Sequence, residues 1–322
     1  MSLITGYQNV QAVLADGRFA VPEPGPSGPV GSVSWLRASV CRFSNGELHD
    51  ARLAVVQEQL GVLCQADLRR GVRERAAAAI SAAGCRDLAD GAQDLLTRRV
   101  PMETLAAALG FEDAPAAAGH VIALASGYFP DLRAEAEARA DVALGALLAM
   151  IAGSAETAVA QVTVMVQACD ATGTLISRSL RCLEEAGDSG CEWTTGALLA
   201  EVVRHWPPAR YSRRWAREEV AEHSVKKGDE VLCDIESANH DPAVFETPEV
   251  FDPLRQQPAD LTFGCGIRPC PARAHAVALA SGVIDAWRKG GKTPCDEDEP
   301  ALTALVNIDL LMGVDGSRRR GR

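Results

Sequence analysis

Phe263-Gly264-Cys265-Gly266-Ile267-Arg268-Pro269-Cys270-Pro271-Ala272 is the stretch that decides the fold. Two glycines one residue apart, Gly264 and Gly266, let the backbone turn tightly and approach a flat ligand. Cys270 follows at the start of an expected helix, 271–287. There the unpaired N–H groups favour thiolate over thiol. Arg268, two residues before the cysteine, suits a carboxylate on the same ligand.

A thiolate, a glycine-lined turn and a cation for anionic side arms together describe a haem–thiolate site. The stretch resembles the cysteine loop of cytochrome P450. That pattern, Phe-x-x-Gly-x-Arg-x-Cys-x-Gly, is met at Phe263, Gly266, Arg268 and Cys270, with Ala272 in place of the last glycine. Upstream, Glu201-Val202-Val203-Arg204 matches the family's Glu-x-x-Arg, and residues at i and i+3 share a helix face. Trp206-Pro207-Pro208 follows, and Glu201 lies 270 − 201 = 69 residues before Cys270, as it does in the family. Between them, Ala238-Asn239-His240-Asp241 and Phe245-x-x-Pro248-x-x-Phe251-x-x-x-Arg255 resemble the family's meander, with His240 where arginine is commoner. The resemblance implies that Glu201, Arg204 and Arg255 form a structural network holding the cysteine loop. It is most specific over 150–287.

The family also needs a helix across the oxygen side of the haem, with an alcohol for proton delivery. Ala152-Gly153-Ser154-Ala155-Glu156-Thr157 has one residue too many for that motif. Ala168-Cys169-Asp170-Ala171-Thr172-Gly173 has the right count, so Thr172 is the expected alcohol and Ala168 a haem-lining residue. The family's acid directly precedes its threonine. Here that position is Ala171, and the acid, Asp170, is displaced by one residue, or about 100° around a helix. Asp170 is carried as a second catalytic candidate whose displacement alters proton delivery.

Haem carboxylates attract Arg and His. By the resemblance Arg268, Arg214 (in the run 206–216) and His49 serve them, and Arg52 stands one residue short of the family's second helix cation. Phe263, Gly264 and Gly266 complete the cofactor-binding set around Cys270.

The chain has 322 residues, 47% apolar and 23% charged, within the globular range. Its net charge of −11 argues against general nucleic-acid binding. There is no run long and apolar enough to read as a membrane span, and no basic–apolar leader. The ten cysteines form no zinc or CxxC spacing, which reads as reduced cytosolic thiols. Helical periodicity covers 47–70, 71–83, 88–109, 133–152, 156–184 and 194–205. Lys226-Lys227-Gly228-Asp229-Glu230 marks a hairpin, 20–32 a Pro/Gly-rich loop, and 238–262 an irregular meander. Segments 20–40 and 111–135 are expected as substrate-contacting loops. The fold class is mainly α with a minor β-sheet: a P450 fold lacking the usual first helix and first strands. It forms one haem domain over 1–322, with 315–322 a frayed tail.

The function so implied is a cytoplasmic cytochrome P450 monooxygenase of secondary metabolism. It carries haem b (iron protoporphyrin IX), oxidises a small or medium organic molecule, and takes electrons from a ferredoxin and its reductase. Arg268 and Arg273 are expected to offer that partner a cationic docking face. Two other readings stand beside it. One is a haem enzyme with peroxide-driven or non-hydroxylating chemistry. The other is a catalytically silent P450-like auxiliary protein.

Overall fold

The computed structural model describes residues 1–83, 93–129, 134–256 and 259–290. Cys85, Cys295, residues 88–92 and 130–133 and the expected tail at 315–322 lie outside them. The described chain is mostly helical, with one four-stranded sheet. The strands are β1 Ser2–Ile4, β2 Phe19–Ala20, β3 Tyr211–Ala216 and β4 Glu230–Asp234, in the order β1-β4-β3-β2. β1 runs parallel to β4, while β3 pairs antiparallel with β4 and β2. The expected turn at 226–230 is closed by Asp229 N–H donating to Lys226 O, but the residues flanking it on the N-terminal side, 222–225, form no strand; β4 pairs with β3 instead.

Before the long central helix come α1 Tyr7–Ala15, α2 Val33–Ser39, α3 Glu47–Gly61, α4 Gln65–Ala83, α5 Val100–Ala108, α6 Ala114–Tyr128 and α7 Ala134–Ala149. That helix is α8, Ala155–Ala186, followed by α9 Thr195–His205, α10 Ile235–Asn239 and α11 Arg273–Gly290. Three further expectations need correction. The pattern read as a helix over 47–70 breaks at Val62-Leu63-Cys64, so α3 and α4 divide between 61 and 65. The segments read as substrate loops hold helices, α2 in 20–40 and α6 in 111–135. And α8 with the turn after it is long and apolar enough, by length and composition, to cross a membrane; its apolarity is spent inside the protein, where 67% of its most apolar window is buried.

Two apolar clusters organise the chain. The larger joins α2 to α9 with α11 and includes Phe263. The smaller lies between the sheet and α1, built on Val10, Val13, Val231 and Cys233. α4 and α11 cross so closely that a Cβ on Gly282 would lie 2.4 Å from Arg69 O. Arg37 on α2 ties that helix to the end of α6. It donates to the carbonyls of Gly127, Tyr128 and Phe129 and pairs with Glu137 at 2.9 Å.

Candidate haem-loop site

The foundation of the site is a fully buried carboxylate on α9. Thr194 caps this helix by accepting from Ala197 N–H. One turn of spacing then brings Arg204 onto Glu201, with Nε 2.9 Å from Oε2 and Nη2 2.7 Å from Oε1. Both side chains are 0% exposed. A buried ion is tolerable only when its remaining capacity is used. Glu201 Oε1 also accepts Asp252 N–H at 2.9 Å and lies 3.6 Å from Arg255 Nε. Arg255 holds the meander by donating to the carbonyls of Glu246, Thr247 and Val250. The three residues read as a network are therefore brought together.

Asn239, which sequence reasoning quoted but gave no role, links that network to the loop. Arg204 Nη1 donates to Asn239 O. The Asn239 amide in turn donates to Thr262 Oγ1 at 2.7 Å and accepts from Leu261 N–H at 2.8 Å. Thr262 donates onward to Val203 O. A side chain that both accepts and donates can register two segments at once, the signal that its amide type carried.

From Thr262 the loop turns on Gly264 (φ 66°) and Gly266 (φ 71°). A Cβ on Gly266 would lie 2.4 Å from Ala15 Cα on α1, so only glycine fits there. Cys270 N–H returns to Phe263 O at 3.3 Å, and Ala272 O accepts the first bond of α11. Phe263 is buried, with the Arg273 guanidinium 4.6 Å from its ring centroid. Arg273 also lies 3.8 Å from Asp260. Burial pushes the Asp260 carboxyl up, and Arg273 opposes that shift. Cys270 and Ala272 are half-buried against the large apolar cluster, as is Ala168 of α8. Cys265 faces the small cluster instead, and burial raises its thiol to about 11 against the opposing charge of Arg214.

Arg268 points into the turn before α3. Its Nη2 donates to Ser44 O (2.8 Å) and Cys41 O (3.1 Å) and lies 2.7 Å from His49 Nδ1, while Nη1 reaches Asn45 Oδ1 at 3.3 Å. His49 Nδ1 also lies 2.9 Å from Cys41 O, so it stands between a guanidinium that only donates and a carbonyl that only accepts. His49 Nε2 is buried with no hydrogen-bond partner among the described residues. The Arg268 guanidinium beside the ring suits a carboxylate. Arg52 joins the cluster by donating to Ser44 Oγ, its length making up for the missing residue in the spacing. Arg214 is buried on β3, bonded to Ser212 Oγ at 2.7 Å and Arg213 O at 2.9 Å. Neither Arg268 nor Arg273 forms the expected docking face, because both are turned inward.

On α8 the two candidate alcohols separate. Thr157 lies in the first turn, where Ser154 caps the helix. Thr172 lies mid-helix and is 1% exposed. Thr163 and Ser179 on the same helix satisfy their hydroxyls on the carbonyl four residues back. Thr172 Oγ1 does not; it is buried without a partner among the described residues. Ala168, one turn back on the same face, is half-buried. Asp170 is turned away and pairs with Arg98 at 3.1 Å, on the π-turn Leu95–Arg99 before α5. Two residues rotate a side chain by about 200°, so Asp170 and Thr172 do not share a face.

The family model for cytochrome P450 matches residues 195–276, from the start of α9 through the cysteine loop into α11. The solved structure of P450BioI in complex with a hexadec-9Z-enoic acid-ligated acyl carrier protein superposes with a TM-score of 0.76. It covers 95% of this chain and 89% of that one at 19% identity. Over 195–276 the chain is similar to cytochrome P450 in sequence, and it has the P450 fold. A second P450 structure, PksS of the Bacillus subtilis 168 bacillaene polyketide synthase, superposes at 0.72 with 18% identity, over 89% of this chain and 82% of that one. In sequence, the curated PksS of B. subtilis is 38% identical over 75 residues, 22% of this chain. Pulcherriminic acid synthase of the same organism is 30% identical over 139 residues, 37% of this chain. These alignments span 18% and 34% of the relatives' own length.

The P450 fold and the matched segment imply a haem, and the residues fit one. A half-buried thiol stands on a glycine turn, and a buried imidazole nitrogen, His49 Nε2, lacks a partner among the described residues beside Arg268. On α8, Ala168 packs against the same apolar cluster as Cys270, and the Thr172 hydroxyl is unpartnered among the described residues.

Proposed function

We propose that the chain is a haem–thiolate monooxygenase acting on a small or medium organic molecule in secondary metabolism. Haem b is the cofactor, and Cys270 is its iron ligand. The observation that carries this is the convergence on one loop of Cys270, the Arg268–His49 pair, and the buried Glu201–Arg204–Arg255 base. The bound haem would supply the activation of dioxygen.

The chain's own residues do the rest. Arg268, His49 and Arg214 hold the haem carboxylates by charge and hydrogen bonding. Gly264 and Gly266 let the loop lie flat, and Phe263, pinned beneath Arg273, fixes the loop's apolar side. Glu201 and Asn239 keep the loop in register with α9. Thr172 Oγ1, having no internal acceptor, is available to hold a water and pass its proton. Electrons come from a separate ferredoxin and its reductase in the cytoplasm.

The test is the reduced carbon-monoxide difference spectrum of the purified protein. A thiolate-type Soret band that Cys270→Ser abolishes supports the reading. A colourless protein that takes up no haem overturns it in favour of a silent auxiliary role. A second reading, peroxide-driven turnover, is favoured by Ala171 beside Thr172 and by the pairing of Asp170 with Arg98. Higher product yield with hydrogen peroxide than with ferredoxin and reductase would establish it.

A further inference from the structure

A cavity of about 730 Å³ opens between the 20–26 segment, α2 and the outer face of β3. Its apolar wall is built on Val21, Phe43 and Trp215, and its cations are Arg37, Arg213 and Arg217. Strand alternation sorts the arginines of β3. Arg214 and Ser212 face inward, whereas Arg213, Trp215 and, just past the strand, Arg217 face the cavity. The guanidiniums of Arg213 and Arg217 therefore lie on the opposite face of β3 from Arg214. Arg37 is fully committed to α6 and Glu137 and acts only as a fixed positive wall. Arg213 spends Nε on Glu230 at 2.9 Å. The Arg217 side chain has no acidic partner among the described residues. The one acid in the lining, Glu23, is exposed.

The cavity is preformed. Pro22, Pro24 and Pro26 fix φ along its rim. The Asn45 amide clamps Val21 twice, accepting from its N–H at 3.0 Å and donating to its O at 3.1 Å. Arg217 N–H donates to Arg18 O at 2.8 Å, closing the other end. A wall already ordered loses little entropy on binding. Asn45 also meets Arg268, so the cavity floor adjoins the cluster at the cysteine loop.

We propose that this cavity binds an amphiphilic carboxylate. Its anionic end meets Arg213 and Arg217, and its apolar body lies along Trp215, Val21 and Phe43. The volume suits one ligand of drug-like size. Calling that ligand the substrate rests on the oxygenase reading; the binding itself does not. The full-length protein is titrated with decanoate, 1-decanol and decylamine, three probes of one chain length and different charge. Trp215 fluorescence is the readout, isolated by subtracting the Trp215→Phe protein, and the Soret band is followed in parallel.

Decanoate is expected to bind about tenfold tighter than decanol, with decylamine weakest. Arg213→Gln/Arg217→Gln should erase that preference and leave decanol unchanged. Arg217→Gln alone, whose side chain supports nothing else in the described protein, should lower decanoate affinity several-fold. Equal affinity for decanoate and decanol, or a double variant that keeps the preference, overturns the proposal. The fluorescence reads this cavity whether or not haem is bound, so a failure of haem uptake would sink the oxygenase reading alone.

Discussion

Replacing Glu201 with leucine removes the acceptor of two Arg204 hydrogen bonds and one from Asp252 N–H, and strands the Arg204 guanidinium at 0% exposure. Breaking a buried pair from one side costs about 3–5 kcal/mol, because the remaining charge is desolvated without compensation. With an unfolding entropy of roughly 2.1 cal/mol/K per residue, a 322-residue chain carries about 0.7 kcal/mol per kelvin. The melting point should therefore fall by about 4–7 °C. Glu201→Leu/Arg204→Met removes both charges and should recover part of that loss, though the carbonyls of Asn239 and Val250 lose their donor. Differential scanning calorimetry of parent, single and double variants decides the matter. A single variant melting within 1 °C of the parent, or a double variant below the single, would falsify the picture of a buried charge held by its partner.

Thr172→Ala should cut coupled product formation by about tenfold or more, in line with loss of a proton-relay group. Asp170→Asn, which loses only a half-exposed pair with Arg98, should change it less than about twofold; product per reducing equivalent separates the two. Gly266→Ala should lower both the melting point and haem uptake, because its Cβ meets the Ala15 backbone at 2.4 Å and φ is positive. Normal haem content in that variant would show that α1 yields easily. His205 is held down to about 4, first by burial and then by the charges of His240 and Arg204. The unfolded chain therefore binds the extra proton between about pH 6.5 and 4, so this residue's contribution is complete above that window and lost as pH falls through it. His205→Phe should flatten the dependence of melting point on pH there.

The cysteine loop, the Glu-x-x-Arg pair and Arg255 were legible because each depends on fixed local spacing: one helical turn, or a turn that only glycine permits. Reach was not legible. Arg52 is one residue out of register, yet its long side chain still arrives at Ser44. Arg273 was read as a surface cation, but Phe263 and Asp260 draw it inward, a contact between groups ten and thirteen residues away. Asp170 was uncertain for a geometric reason, and Arg98, whose π-turn no periodicity announces, settles its direction. The helices α2 and α6 were hidden by the Pro/Gly-rich and alanine-rich composition around them, which reads as loop or gives no amphipathic contrast.

The Arg37 fork has a consequence for motion. By gripping three successive carbonyls and a carboxylate, it rivets the α2–α6 seam shut. Parting α2 from the end of α6 would strip three carbonyl acceptors from one guanidinium at once, and the Glu137 pair ties the same side chain to α7, so one arginine sets the cost of opening that corner of the molecule.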